Sequence, residues 1–211
     1  VKSFHAYHGC PLGKKAKLPR AVKTNSGKLE NIKIEYRPEQ VKRLLSVIRS
    51  LRDRAIVLIM FQSGMDISTV CSLDYGHIKE GLEAGKSPIL IHVHRPKVGL
   101  NYRTLVGRDA IEALRAYLDE RVKKRGEKLE YGTPVFAIEG THVNKGKRCT
   151  PKYFQDNMRQ YVVAAGLVSE ERMERADFSP ARPHALRSGF SSILRLKGAN
   201  ERLIDYWMGH A

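Results

Sequence analysis

The sequence predicts an α+β domain, mostly helical, with a small antiparallel β-sheet on one side. Three observations carry that prediction. Apolar residues recur at helical spacing through most of the chain beyond residue 36. One region, 89–106, switches instead to alternation around a turn. Gly64, Gly126 and Gly166 each close a helical run, the place where a left-handed residue is most often needed.

Taken in order, residues 1–36 show little apolar periodicity. They carry Lys14, Lys15, Lys17, Arg20, Lys23, Lys28 and Lys33 among Gly9, Pro11, Gly13 and Pro19. This is the pattern of a basic linker or arm that can follow a phosphate backbone, and a solvated tail fits it equally. His5, His8 and Cys10 lie close together, but without a second ligand pair they read as a polar tail rather than a metal site. The globular domain spans 37–211. Pro38 and Glu39 suit a first helical turn, and Val41, Leu44, Leu45, Ile48 and Leu51 give it an apolar face. Arg54 to Gln62 is apolar all round, a buried helix ended by Gly64. A short helix with Ile67, Val70 and Cys71 inward follows. Ile89, Ile91 and Val93 alternate with Leu90, His92 and His94 as a strand, residues 96–99 turn, and Tyr102 to Val106 return. Lys97 sits near the hairpin tip. Ile111, Leu114, Leu118 and Val122 mark another helix, Thr133 to Ile138 is a short β-prone run, and Thr150-Pro151 opens a helix carrying Phe154, Met158, Tyr161 and Val162. After a polar stretch from Ser169 to Arg182 come the helix of His184 and Arg187 and a last one with Leu203, Ile204 and Trp207.

Composition narrows the partners. A chain of 211 residues can bury one good core. Its 38 Lys and Arg against 22 Asp and Glu leave a net charge of +16 and a pI near 9.9. Such an excess calls for a polyanion, most simply nucleic acid. An anionic membrane surface fits less well, because no basic amphipathic helix with a Trp/Phe face is present. The only long apolar run, Ala55 to Phe61, is too short to span a bilayer, and no signal peptide is visible, although a chain opening on Val1 can be trimmed. Cys10, Cys71 and Cys149, odd in number and widely spaced, fit free thiols in a reducing cytoplasm.

The chemistry gathers at the end of the chain. His184 and Arg187 stand three apart on a helix, so they project from one side, and His210 follows Gly209 after a further helix. Two imidazoles and a guanidinium can grip a phosphate: Arg bonds two oxygens at once, and His donates or moves a proton. A capped helix start after Pro183 with a solvated arginine is the plainer account of a bare His-x-x-Arg.

With this order of elements, residues 37–211 resemble the catalytic domain of the tyrosine recombinases, the phage-integrase family. His184-x-x-Arg187 with Gly209-His210 behind it is the most specific part of the likeness, and Lys97, followed by Gly99 and Arg103-Thr104, looks like the family's hairpin lysine. Residues 1–36 look like the linker after the family's N-terminal domain. The resemblance implies a cofactor-free reaction on double-stranded DNA, in which a tyrosine attacks a phosphodiester to leave a 3′-phosphotyrosyl link and a partner strand displaces it. It implies Arg187 as phosphate clamp, His184 and His210 as proton managers, Lys97 as general acid, no metal, and an assembly that is monomeric or dimeric when free and tetrameric on paired sites.

Two departures stand out. Where the family has an arginine in a Gly-x-Arg segment, this chain has Gly64-Met65-Asp66, and Thr69 stands where an acidic residue is usual. Asp66 reads as a helix cap; as a lone carboxylate facing the phosphate it would add repulsion of a few kcal/mol, and loss of a donor costs about 100- to 1,000-fold in rate. Arg95 and Arg103 are the spare arginines. Second, the family's nucleophilic tyrosine lies beyond the Gly-His, and the sequence stops at Ala211; Tyr206 reads as packing in the last helix. The expectation is therefore a chain that binds DNA, through Arg95, Arg103 and the arm lysines among others, without cleaving it. A non-catalytic DNA-binding protein on this scaffold and a type I topoisomerase are the rival readings.

Overall fold

The computed structural model describes residues 34–95, 99–139, 146–175 and 181–210. In chain order the elements are α1 (Pro38–Val47), α2 (Leu51–Ser63), α3 (Ile67–Ser72), a 3-10 turn (Tyr75–His77), α4 (Lys79–Glu83), β1 (Ile89–Arg95), β2 (Leu100–Val106), α5 (Arg108–Arg125), α6 (Pro151–Ala164), α7 (Glu170–Arg175), α8 (His184–Leu196) and α9 (Glu201–Trp207). β1 and β2 pair antiparallel, from Ile89 opposite Val106 to Arg95 opposite Leu100.

α2 is the axis of the fold. Ala55, Ile56, Val57, Ile59 and Met60 have no exposed surface, so α2 is covered on every side, by α5, α8 and β2 among others. Each of these side chains larger than alanine contributes roughly 1.5–3 kcal/mol of burial. Its N-terminus is capped by Ser50, whose hydroxyl accepts from the Asp53 amide at 3.2 Å. There the buried Arg52 pairs with Asp53 at 2.7 Å. Asp53 also accepts from Asn157 at 3.0 Å and Tyr161 at 2.7 Å, which ties α2 to α6. Removing either charge would strand the other in the core.

At its other end α2 stops at Gly64, in the left-handed region at φ 68°. A methyl there would lie 2.5 Å from the Phe190 ring of α8, so both conformation and contact demand glycine. Thr104 of β2 donates to the Ser63 carbonyl at 2.7 Å, fixing the sheet against the same point. The α2 terminus, α3, β2 and α8 thus meet in one place.

Several expectations need correcting. The core reaches back to Tyr36, which is buried, and to Ile34, which packs on it, so the domain starts before residue 37. Residues 133–138 form no strand; they make only isolated bridges, Asp74 with Pro134 and Ala137 with Arg148. The polar stretch from Ser169 contains a helix, α7, anchored by the buried Met173. Tyr206 is about half exposed rather than packed, and Val122 and Leu203 are exposed as well. Cys71 and Cys149 are buried free thiols. Among the described residues no helix is long and apolar enough to cross a membrane. Lys14, Lys15, Lys17, Lys97, His5, His8 and Cys10 lie outside the described residues.

Candidate active site

Asp66 begins the site. It caps α3, its carboxylate accepting from the Thr69 amide at 2.9 Å, as the sequence implied. Its other oxygen does something the sequence did not show: it pairs with Arg95 Nε at 3.1 Å. Arg95 is the last residue of β1, on the face that buries Ile89, Ile91 and Val93. It also donates through Nη1 to the Gly209 carbonyl at 3.1 Å. Asp66 is therefore neutralised in place, and the repulsion expected of a lone carboxylate does not arise.

A 460 Å³ cavity opens here, lined among others by Asp66, Thr69, Ser72, Arg95 and His184. Larger grooves of 790 and 580 Å³ lie between other helices, and neither brings histidine and arginine together.

His184 opens α8 and is exposed. Its pKa is lowered, first by partial burial and then by the Arg187 charge, with Arg95 and His210 acting in the same sense and Asp66 opposing. A neutral ring beside cations can take a proton, or be charged by an arriving anion.

Arg187 has no exposed surface. Its Nη1 donates to the Gly64 carbonyl and its Nη2 to the Met208 carbonyl, joining the ends of α2 and α9. Nη2 also stands 2.9 Å from His210 Nε2. The other ring nitrogen of His210 faces Asp205 at 3.4 Å. Burial pulls the Arg187 pKa down. The arginine that the motif singled out is thus a buried cation behind the cavity, and the exposed groups are His184, His210 and the edge of Arg95.

One further residue was given no role at the site by the sequence. Tyr102 of β2 is buried with its hydroxyl beside Arg187, yet neither that hydroxyl nor Arg187 Nε has a well-formed hydrogen bond. Gly209 packs its backbone on the same ring: at φ 60° a methyl there would come within 2.7 Å of Tyr102. Strand alternation alone puts Tyr102 inward. Arg103, its neighbour, is exposed opposite His92 on the outer face, which removes it as a stand-in at position 66.

The chain matches the family model described as "Phage integrase family" over residues 35–211. The chain belongs to the phage integrase family. Among curated relatives of this phage integrase family member, the tyrosine recombinase XerC of Myxococcus xanthus is 29% identical over 221 residues, covering 100% of this chain and 65% of that protein. The XerC of Thermodesulfovibrio yellowstonii is 31% identical over 166 residues, 76% of this chain and 46% of its own length. The chain thus spans between about half and two-thirds of the length of these relatives. Among solved structures, XerA recombinase superposes with a TM-score of 0.64 at 18% identity, covering 100% of this chain and 65% of that one. The lambda integrase catalytic core gives 0.56 at 15% identity, over 84% of this chain and 92% of that one. At these identities the structural likenesses show the fold: a mostly helical catalytic-domain architecture with a small antiparallel sheet.

Proposed function

We propose that this chain is the catalytic core of a site-specific recombinase that cuts and rejoins double-stranded DNA through a 3′-phosphotyrosyl intermediate. The observation that carries the reading is a cavity lined by Arg95 and His184, with the buried Arg187 and its neighbour His210 close by, in a member of this family. Relatives point the same way: XerH has been solved bound to its difH substrate in a pre-cleavage complex.

In the proposed step a tyrosine supplied from outside residues 1–211 attacks phosphorus. The bond from phosphorus to the 5′-oxygen breaks, and Lys97 delivers the proton that the departing oxygen needs. Charge gathers on the non-bridging oxygens, where prepositioned cations are most effective. His184, neutral and exposed, donates or accepts a proton at the cavity wall. Arg187 acts from behind through its field and through His210; a direct clamp requires its Nη2 to leave the Met208 carbonyl. The basic arm, with Lys14, Lys15 and Lys17, follows the backbone, as do exposed cations such as Arg103. The reaction as proposed uses no cofactor, takes place in the cytoplasm, and assembles a tetramer on paired sites from free monomers or dimers.

The test is a nicked duplex that traps covalent protein on DNA, incubated with the full gene product. A covalent adduct, with duplex affinity falling steeply as salt rises, is the expected result. Tight binding without any adduct would favour the non-catalytic DNA-binding reading, which Asp66 motivates. Relaxation of a single plasmid without paired sites would favour a topoisomerase.

A further inference from the structure

We propose that Arg95, aimed by Asp66, is the guanidinium that contacts the scissile phosphate. The inference rests on the strand-transfer reading and deepens it.

The argument starts from access. Of the guanidinium groups at the site, Arg187 has no exposed surface and gives its Nη atoms to the Gly64 and Met208 carbonyls. Arg95 lines the open cavity beside His184, with 21% of its side chain exposed. A phosphate entering that cavity meets Arg95 before it can meet Arg187.

Next comes donor capacity. A guanidinium has five N–H groups. Arg95 Nε forms an ion pair with Asp66 at 3.1 Å, and one Nη1–H is donated to the Gly209 carbonyl at 3.1 Å. Among the described residues the Nη2 hydrogens and the second Nη1 hydrogen have no hydrogen-bond partner, so a forked pair can face two phosphate oxygens. The two fixed contacts come from separate parts of the fold, the cap of α3 and the residue before His210. They hold the fork in place before a ligand arrives, which is what makes a donor effective in a transition state.

The third point is what surrounds the pair. The Tyr102 hydroxyl and Arg187 Nε are buried without a well-formed hydrogen bond, and both groups feel the charges of Asp66 and Arg95. Buried polar atoms of this kind call for an explanation, of which a bound ion is one. The two arginines outweigh the single carboxylate by one positive charge, which suits an anion. As the tyrosine oxygen bonds to phosphorus and the 5′-oxygen leaves with its proton, the growing charge on the non-bridging oxygens falls to Arg95. Asp66 is a positioning residue: it turns the guanidinium without touching DNA.

The experiment uses the full gene product on two nicked duplexes, one with an ordinary scissile phosphate and one with a neutral methylphosphonate there. Arg95→Ala is expected to slow adduct formation about 100- to 1,000-fold on the phosphate and far less on the methylphosphonate, which no longer carries the charge that Arg95 offsets. Arg95→Lys keeps the charge without the fork and falls between. Asp66→Ala should follow Arg95→Ala on both substrates, while Asp66→Asn, whose single amide oxygen can serve the Thr69 amide or Arg95 but not both, falls between Asp66→Ala and the wild type. Circular dichroism melting confirms that each variant is folded, and Arg95→Lys decides the matter if Arg95→Ala is not. Equal slowing of Arg95→Ala on both substrates, or wild-type rates on both, overturns the assignment while leaving strand transfer intact. No adduct from the wild-type protein sinks both.

Discussion

Gly189→Ala tests whether α8 is seated as described, because two opposing effects of known size meet at that residue. Gly189 lies inside α8, where alanine is favoured over glycine by about 1 kcal/mol. A methyl there would stand 2.4 Å from the backbone oxygen of Tyr36, 3.2 Å from Phe61 Cε2 and 3.3 Å from Tyr36 Cβ. The first contact is about 0.6 Å inside the 3.0 Å limit that real Cβ atoms respect. A side-chain end could rotate away, but a carbonyl oxygen of the main chain cannot. The helix must move, and overpacking of this kind costs typically 1–3 kcal/mol. With the clash on backbone, the upper half of that range applies, and the net loss is about 1–2 kcal/mol. For a domain of this size the melting temperature should fall by roughly 2–8 °C. The same displacement carries His184 and Arg187 with it. A misplacement of 1 Å can cost about 100-fold in rate, so a shift of this size should slow adduct formation by roughly tenfold or more. The assays are thermal melting by circular dichroism and adduct formation on a nicked duplex. A raised melting temperature with unchanged rate would refute the reasoning, since helix propensity would then act unopposed and the contact between α8 and Tyr36 would not exist.

Two other expectations concern charge. In an NMR titration His184 should show a pKa below the ordinary histidine value, moved up by Arg95→Ala and down by Asp66→Asn. The sign for stability follows: above about 6.5 the ring is neutral in both states, and as pH falls from there toward the folded pKa the unfolded chain takes the proton first, so stability is lost. A His184 pKa above the ordinary value, or no response to either substitution, contradicts the described surroundings. Asp53→Ala should cost about 3–5 kcal/mol in urea unfolding, because Arg52 stays buried without its partner and Asn157 and Tyr161 lose their acceptor. A loss below about 1 kcal/mol would mean the pair is solvated.

How much of this was legible depends on whether a residue's role was set locally. Gly64, Gly126 and Asp66 were readable because a cap or a left-handed turn is decided within a few residues, and each is found there. The helices of residues 38–63 and the hairpin were readable because their periodicities differ. Residues 133–138 were not: their β-prone composition meets Asp74 and Arg148, far apart in sequence, which grant them single bridges instead of a strand. α7 escaped because one apolar residue, Met173, anchors it and leaves no period to detect.

The site divides in the same way, with one instructive exception. His184 and Arg187 share a side of α8, as their spacing required, but spacing says nothing about depth. Only the packing of α2 and α9 against α8 decides that Arg187 is buried while His184 is exposed. The choice between Arg95 and Arg103 as partner for Asp66, by contrast, was available all along. Residues of a strand alternate between faces, and a paired strand keeps the parity of its partner. Ile89, Ile91 and Val93 are the buried set of β1, so Arg95 continues the inner face. Arg103 pairs with His92, which is exposed, and must face outward. The two arginines looked equivalent because both flank the same turn; the parity of the strands carrying them already assigned one to the cavity and the other to the surface.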